Sequence, residues 1–192
     1  MIAVVYGSST DNTKNAASLI AEMLRAKTTV PVDLIDVATV KRDLQPLLQY
    51  WVWIIGCPTW NIGELQDDWY DAFPLLDQLD LQGTIVTLFG FGDQQGYPDT
   101  FQDALGILGR KVRERGATII GRWPIDGYDF FHSLGVEDGM FFGLALDYEN
   151  EDEKTTDRIQ AWVNQLLSEL TAHPDGIVRR DVSSSSLNSA FR

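Results

Sequence analysis

Short apolar runs alternate along this chain with segments in which apolar residues recur every three or four positions. The runs predict strands at residues 2–6, 30–37, 51–56, 84–90, 117–123 and 141–146. The helical spacing predicts helices at 13–27, 67–79, 99–115 and 153–172, with a short helix near 41–49. Gly116 favours a helix end there, and Pro74 should start or break a turn.

This alternation predicts an α/β fold, a doubly wound five-stranded parallel sheet with helices on both faces. The strand order 2-1-3-4-5 is a common solution for such a chain. The run 51–56 is apolar on both faces and therefore predicts a central strand. An irregular stretch, 124–140, interrupts the last strand. Ligands of such sheets bind beyond the carboxyl ends of the strands, which points to the loops 7–13, 57–66 and 91–98.

The composition predicts one globular domain over residues 1–173. The chain has 192 residues, 44% of them hydrophobic, and no apolar run approaches the ~20 residues that a membrane span needs. We expect no secretory leader. Residues 174–192 differ in kind, because they include four consecutive serines, and we expect them to be a disordered tail.

Charge and cysteine content narrow the partners and the compartment. The formal charge is −13, of which residues 174–192 contribute +1, so the remainder carries −14. Such a charge argues against nucleic acid or membrane insertion and favours a basic protein partner, although solubility alone is an alternative. The one cysteine, Cys57, cannot form an internal disulfide, which fits a reducing, cytoplasmic location.

The first loop has the composition of an anion site. Gly7 and several hydroxyl residues lie between a strand and a helix, where backbone N–H groups and the helix dipole favour phosphate. The alternative is that Thr10 or Asn12 merely caps the helix. The loop is not a Walker A motif, because it lacks the second glycine and the preceding lysine. Neutral donors suit a phosphate that stays bound better than one that is transferred.

Each of the other two loops contains a large aromatic ring. Trp60 follows Cys57-Pro58-Thr59, and Tyr97 lies near the end of a Gly-rich loop over residues 90–98. That loop reads G-x-G-x-x-x-G after the fourth strand, so it is not a dinucleotide fingerprint. Two rings beside an anion site predict a slot for a planar heterocycle with a phosphate tail. Alternatively, Trp60 folds back onto the core.

These segments resemble a known family. Residues 8–13, 58–64 and 92–97 are similar to the three loops that bind flavin mononucleotide (FMN) in flavodoxins, and 124–140 resembles the insertion of the long-chain type. The similarity runs from residue 2 to about 172 and leaves out the tail. One departure is Asp11, which stands where the family usually has glycine.

The resemblance implies a set of cofactor contacts. In the first loop it implies Ser8, Ser9, Thr10, Asp11, Asn12 and Thr13, around the phosphate. In the second it implies Pro58, Thr59, Trp60, Asn61, Ile62 and Gly63, and in the third Gly92, Asp93 and Tyr97. Trp60 and Tyr97 would flank the isoalloxazine ring, and Gln102 would reach its pyrimidine end. Asp147 would accept a hydrogen bond from a ribityl hydroxyl, or it simply forms a turn at the strand end.

The resemblance also implies the function. We expect a low-potential electron-transfer protein, not an enzyme, that shuttles single electrons through the semiquinone/hydroquinone couple as a ferredoxin substitute. The Asn61–Ile62 peptide would reorient on reduction so that its carbonyl accepts from flavin N5–H. The expected partners of this monomer are basic-faced redox proteins: ferredoxin-NADP reductase, photosystem I or other ferredoxin-dependent systems. Acidic residues near the mouth would dock them: Glu64, Asp67, Asp68, Asp71, Asp93, Asp99, Glu149 and Glu151.

Other functions fit the sequence less well. A flavodoxin-like NAD(P)H-quinone reductase is the main alternative, but rings on both faces would close the substrate site. A receiver domain needs an acidic phosphoacceptor after strand 3, where this chain has Gly56-Cys57-Pro58. His132 and His173 lack metal-ligand spacing, and a strand-end cysteine beside proline is a poor nucleophile.

Overall fold

A computed structural model of the protein describes residues 1–173; the expected disordered tail at 174–192 lies outside the described residues. The strands, in chain order, are β1 Ile2–Tyr6, β2 Val32–Asp36, β3 Val52–Gly56, β4 Thr59–Trp60, β5 Glu64–Leu65, β6 Ile85–Phe91, β7 Thr118–Ile119, β8 Trp123–Pro124, β9 Val136–Glu137, β10 Met140–Phe141 and β11 Leu144–Leu146. The helices are α1 Asn12–Lys27, α2 Asp67–Ala72, α3 Asp103–Glu114 and α4 Tyr148–Ala172, with 3-10 turns at Val37–Thr39, Gln45–Gln49 and Phe73–Gln78.

The main sheet is parallel, in the order β2-β1-β3-β6-β11. This is the predicted order 2-1-3-4-5, and the fold class is confirmed. Two short strands share the fifth position, since β7 pairs with the start of β6 and β11 pairs with its end. The insertion leaves the sheet after β7 and returns at β11, as predicted for a last strand that is interrupted.

Burial on both faces explains why the central strands read as continuous apolar runs. Every residue of β1 and β3 is buried, and β3 is the central strand, as predicted for the run 51–56. Val4 and Ile54 pack into the core layer beneath α1 and α4. Trp53 and Ile55 pack into the opposite layer, with residues of α2 and α3. This packing places the carboxyl ends of β1, β3 and β6 side by side, at one edge of the sheet.

Several helix boundaries differ from the prediction. The helix predicted over 99–115 begins at Asp103, because Gln102 adopts a left-handed conformation (φ 63°), and it ends before Gly116 (φ 98°) as expected. The helix predicted over 67–79 is α-helical to Ala72 and becomes a 3-10 turn around Pro74. The short helix near 41–49 is a 3-10 turn over Gln45–Gln49.

The last helix begins five residues earlier than predicted, at Tyr148 rather than at 153. Asp147 caps it by accepting from the backbone N–H of Asn150. Its helical geometry is interrupted at Glu151 (φ −145°, ψ 37°), so the first turn points in its own direction. The hydrophobic pattern becomes regular only after this break, which explains the late predicted start.

The insertion forms a three-stranded sheet, β8-β10-β9, and packs against the loop that precedes α3. Phe101 contacts three aromatic rings of this region, Tyr128, Phe130 and Phe141, with ring centroids 5.4–5.8 Å apart. The backbone N–H of Phe131 donates to the Pro98 carbonyl at 2.9 Å. The insertion therefore supports the third candidate loop from behind. Across residues 1–173, no helix combines the length and apolarity needed to cross a bilayer.

Candidate functional site

A cleft of about 360 Å³ opens beyond the carboxyl ends of β1, β3 and β6, where the prediction placed the ligand. Its wall is formed by residues from all three candidate loops, by two residues that follow the third loop and by the first turn of α4. They are Thr10, Asn12, Pro58, Thr59, Trp60, Asn61, Phe91, Gly92, Asp93, Tyr97, Thr100, Phe101, Tyr148 and Glu149. The fold thus brings together the three segments that the sequence analysis selected.

The first loop presents the start of α1 to one end of this cleft. Thr10 and Asn12 line the wall, and α1 begins at Asn12. Neither of them is the N-cap, contrary to the alternative considered above, because Asp11 occupies that position and its side chain makes no capping bond. The first-turn N–H groups of a helix have no acceptor within it, so they suit an anion. Thr13 is buried and Ser9 exposed, and neither lines the cleft.

Asp11 is accommodated by its backbone and by a neighbouring cation. Its φ of 64° lies in the left-handed region, which aspartate tolerates better than most residues. Its carboxylate is 71% exposed, lies 3.4 Å from Lys14 Nζ and is not part of the cleft wall. The negative charge of Asp11 is therefore directed away from the part of the cleft that suits an anion. Ser8, in the same loop, is half-buried.

The second loop is a tight hairpin between β4 and β5. Asn61 (φ 47°) and Gly63 (φ 85°) both have left-handed backbone, and Ile62 between them is 78% exposed. The Asn61 amide donates to Glu64 at 2.6 Å, and Thr59 Oγ1 accepts from the Ala104 N–H at 3.2 Å. Ile62 and Gly63 do not line the cleft, although both were predicted contacts.

Trp60 forms part of the cleft wall instead of folding back onto the core. Its Nε1 is buried and finds no acceptor among the described residues, which leaves a desolvated N–H donor at the cleft. Such a donor costs free energy unless a partner occupies it. Trp69 fills the core position below, where its Nε1 donates to the Gly56 carbonyl at 2.8 Å.

The third loop is organised by its own aspartate. Asp93 Oδ1 accepts from the backbone N–H groups of Gln95 at 3.1 Å and Gly96 at 2.7 Å. Burial alone would raise the pKa of Asp93, but hydrogen bonds from Gly96, Asn150 and Gln95 outweigh burial and hold this pKa below its usual range. Tyr97 follows, 51% exposed, with its ring on the cleft.

Two predicted contacts lie behind the wall and not in it. Gln102 is fully buried; its Nε2 donates to the Leu146 carbonyl at 2.8 Å, and its Oε1 has no donor among residues 1–173. Asp147 is also fully buried and accepts from the Gln94 N–H at 3.0 Å and from Asn150. The geometry of Asp147 is that of the turn-forming alternative. Direct contact of either residue with a ligand stays a prediction.

The sequence analysis missed four residues of the wall and named a fifth, Glu149, only as a surface charge. The missed residues are Phe91, Thr100, Phe101 and Tyr148. Phe91 ends β6, and Tyr148 begins α4 directly after β11. Their position at strand and helix ends was a usable signal, but two misplaced helix starts concealed it. The predicted start of α3 at 99 put Thr100 and Phe101 inside a helix, and the predicted start of α4 at 153 left Tyr148 outside one.

The cysteine and the acidic residues do not form a second reactive centre. Cys57 is fully buried, and burial raises the pKa of its thiol to about 12, which keeps it protonated and unreactive at neutral pH. Within residues 1–173, no group of three histidine, cysteine, aspartate or glutamate side chains is placed to hold a metal ion.

The sheet order, the anion end and the aromatic wall together define a mononucleotide-binding protein of the doubly wound α/β class. Comparison with known proteins identifies the family within that class. The family model described as Flavodoxin matches residues 4–162. The chain belongs to the flavodoxin family.

Curated relatives and solved structures agree. A flavodoxin of Nostoc sp. is 46% identical over 168 residues, which is 88% of this chain and 96% of that protein. Flavodoxin 1 of Escherichia coli is 42% identical over 176 residues, 91% of this chain and 96% of that protein. The structure is similar to a Fusobacterium nucleatum flavodoxin bound to flavin mononucleotide, with a TM-score of 0.80, 27% identity, and 88% and 97% of the two chains covered. The length of 192 residues is consistent with the long-chain type.

Proposed function

We propose that this flavodoxin binds FMN non-covalently in the cleft and carries single electrons at low potential, as a ferredoxin substitute. The observation that carries the proposal is the shared wall: Trp60 and Tyr97 line one cleft together with Thr10 and Asn12, at the start of α1. Residues 1–173 would contain the whole binding site.

The residues present fit FMN. Trp60 Nε1 is a buried donor in need of an acceptor, and Thr10 and Asn12 line the same cleft beside the first turn of α1. A phosphate accepts from such donors without a metal ion or a lysine. The wall is otherwise rich in aromatic rings, which suit a flat heterocycle. When bound, FMN would supply one-electron redox chemistry at its ring.

The charges of the site favour a low potential. Asp93 and Glu149 line the cleft, whereas no lysine or arginine does so among residues 1–173. Lys14, just past the first loop, is paired with Asp11. The body of the chain carries −14. An added negative charge at the ring would therefore meet repulsion, at ~4 kcal/mol for a unit charge 4 Å away at an effective dielectric of 20.

The second loop provides a carbonyl for a ring proton. The Asn61–Ile62 peptide lies at the rim of the cleft, in a hairpin whose turn residues Asn61 and Gly63 have left-handed backbone. With FMN bound, the Asn61 carbonyl would accept a hydrogen bond from the ring N5–H, once this peptide had reoriented. One such hydrogen bond contributes about 1 kcal/mol net. An Ile62→Pro change constrains the peptide and should bring the two one-electron potentials closer together.

The acidic surface would receive the redox partners. Lys41 neutralises Asp68 at 2.9 Å and Asp71 at 2.8 Å, and Glu151 is paired with Arg158 at 2.6 Å. Four exposed carboxylates of the predicted set form no salt bridge within residues 1–173: Glu64, Asp67, Asp99 and Glu149. We assign these four to transient docking of a basic-faced protein, with ferredoxin-NADP reductase, photosystem I and other ferredoxin-dependent systems as candidates.

An electron carrier fits this site better than the quinone reductase. Aromatic residues from two loops leave little room for a quinone over the ring, so electrons would pass at its exposed edge. We place the protein in the cytoplasm as a monomer, in keeping with its single, buried cysteine.

A coupled assay tests the carrier role. The FMN-loaded protein is mixed with NADPH, ferredoxin-NADP reductase and cytochrome c, and reduction of cytochrome c is followed. We expect the rate to rise in proportion to the flavodoxin concentration, and NADPH oxidation to be negligible when the reductase is omitted. Steady oxidation of NADPH by the protein and a quinone alone would support the enzyme instead.

A further inference from the structure

The first turn of α4, residues 148–150, is joined to the loop that presents Tyr97. We propose that Asn150, in this turn, is a positioning residue whose amide holds the loop and thereby sets the affinity of the cleft for FMN. The inference rests on the proposed function, because it concerns the same cleft. Asn150 lies outside the cleft wall and would act through Asp93.

Asn150 lies between two carboxylates. Its Nδ2 is 2.8 Å from Asp93 Oδ1, in the third loop, and 2.9 and 3.0 Å from the two oxygens of Asp147, at the end of β11. Its backbone N–H also donates to Asp147, at 3.1 Å. One amide group thus supplies the donors that keep two acidic side chains together.

The Asp93 end of this contact reaches the cleft. The same oxygen that accepts from Asn150 also accepts from the N–H groups of Gln95 and Gly96. The Asp93 carbonyl accepts from the Tyr97 N–H at 2.9 Å. A shift of the Asp93 carboxylate would therefore move the backbone on which the Tyr97 ring is mounted.

The Asp147 end is rigid. Asp147 is fully buried and also accepts from the Gln94 N–H at 3.0 Å, so it ties the third loop to the sheet a second time. The Gln94 side chain in turn accepts from the Asp129 N–H at 2.7 Å, which links the loop to the insertion. Without the Asn150 amide, the carboxylates of Asp93 and Asp147 would repel each other across this junction.

The break in α4 explains how Asn150 reaches Asp93. Helical geometry fails at Glu151, so the turn that carries Asn150 is not constrained to the helix axis. Glu151 is held there by Lys154 at 2.5 Å and Arg158 at 2.6 Å. Burial alone would raise the pKa of Glu151, but these two cations outweigh burial and lower it. Two cations of the same helix thus hold Glu151 at the break.

Three variants test the proposal: Asn150→Ala, Asn150→Asp and, as a control, Gln160→Ala, which removes an exposed amide from the same helix. FMN dissociation constants of the apoproteins and the near-ultraviolet circular dichroism of their aromatic residues are measured between pH 5 and 8. We expect FMN binding to weaken about tenfold in Asn150→Ala, ~1.4 kcal/mol, and to stay unchanged in Gln160→Ala.

Asn150→Asp provides a signature that general destabilisation would not produce. It places a third carboxylate against Asp93 and Asp147, with Glu149 and Glu151 beside it and Lys154 and Arg158 as nearby cations. At pH 8 this variant should bind FMN more weakly than Asn150→Ala. At pH 5 its affinity relative to wild type should recover, because a protonated carboxyl again supplies a donor. The ratio to wild type cancels the titration of the FMN phosphate.

The outcomes separate the two proposals. Wild-type affinity in both Asn150 variants would overturn the positioning role while leaving the proposed function intact. If Asn150→Ala fails to fold, an Asn150→Asp affinity that does not recover at pH 5 would overturn it as well. A wild-type protein that does not bind FMN would contradict the proposed function itself.

Discussion

Asp11 and Lys14 form an ion pair, with Lys14 Nζ 3.4 Å from Asp11 Oδ1, on the outside of the turn that begins α1. The pair directs a carboxylate away from the end of the cleft that we assign to phosphate. The pair also neutralises Lys14, which is the cation closest to that turn in the sequence. The family usually has glycine at this position, so the pair shows how an acidic residue can be tolerated there.

Replacement of Asp11 should tighten FMN binding. Asp11→Gly removes a negative charge near the phosphate and suits the left-handed backbone (φ 64°), where glycine is unstrained. We expect the FMN dissociation constant to fall about threefold at low ionic strength and the difference to shrink at high salt. Asp11→Asn keeps the tolerance for this backbone and removes only the charge, so it separates the two contributions. Weaker FMN binding by both variants would contradict this interpretation of Asp11.

The buried donor of Trp60 should distinguish FMN from riboflavin. Trp60→Phe keeps an aromatic ring in the wall but removes Nε1, which has no acceptor among residues 1–173. Loss of a hydrogen bond to a charged group costs about 1.5–3 kcal/mol, so FMN affinity should fall at least tenfold. Riboflavin, which lacks the phosphate, should lose much less. Fluorescence titration of the apoprotein with both ligands provides the comparison. Equal losses of affinity for FMN and riboflavin would show that Trp60 Nε1 does not donate to the phosphate.

The Cys57 thiol should be inert in the folded protein. Burial raises its pKa to about 12, against an unfolded value near ~8.5. The thiol thus favours the folded state fully below pH ~8.5, and this contribution is lost as the pH rises from there toward about 12. We expect no reaction with a thiol reagent at pH 8 until urea unfolds the chain. Rapid labelling of the native protein would show that the Cys57 thiol, at the end of β3, is accessible to solvent.

Salt should slow the encounter with a basic partner. The docking carboxylates Glu64, Asp67, Asp99 and Glu149 are exposed, so ions screen them effectively. We expect the second-order rate constant for reduction by ferredoxin-NADP reductase to fall about tenfold between low and physiological ionic strength. Charge neutralisation at Asp99 and Glu149 should flatten this dependence. The matched change at Asp77, which is paired with Lys111 on another surface, should not.

Much of this architecture was predictable from the sequence, because the buried strands β1, β3 and β6 read as apolar runs with turn signals after them. The start of α3 was not, since it depends on the left-handed backbone of Gln102. Gln102 and Asp147 are assigned to the cofactor by resemblance alone. Both are buried and bonded to backbone groups, Gln102 to the Leu146 carbonyl and Asp147 to the Gln94 N–H, which no sequence pattern indicated. Their contact with a ligand stays a prediction.

The role of Asn150 was also beyond sequence reasoning. Its contact with Asp93 joins residues 57 positions apart and depends on the break at Glu151. The hydrophobic pattern does not indicate such a break, and the contact between Asn150 and Asp93 forms only in the folded protein. Long-range polar contacts of this kind decide how loops are placed, whereas hydrophobic periodicity decides only which elements form.

The central claim is that one cleft binds FMN and separates its two one-electron reductions. The most direct test is a spectroscopic reductive titration, without oxygen, of the protein reconstituted with FMN. We predict one FMN per chain, and reduction in two resolved one-electron steps with the second at much lower potential than free FMN. A protein that stays colourless after incubation with FMN, or one whose bound flavin takes up both electrons in a single step, would contradict the account.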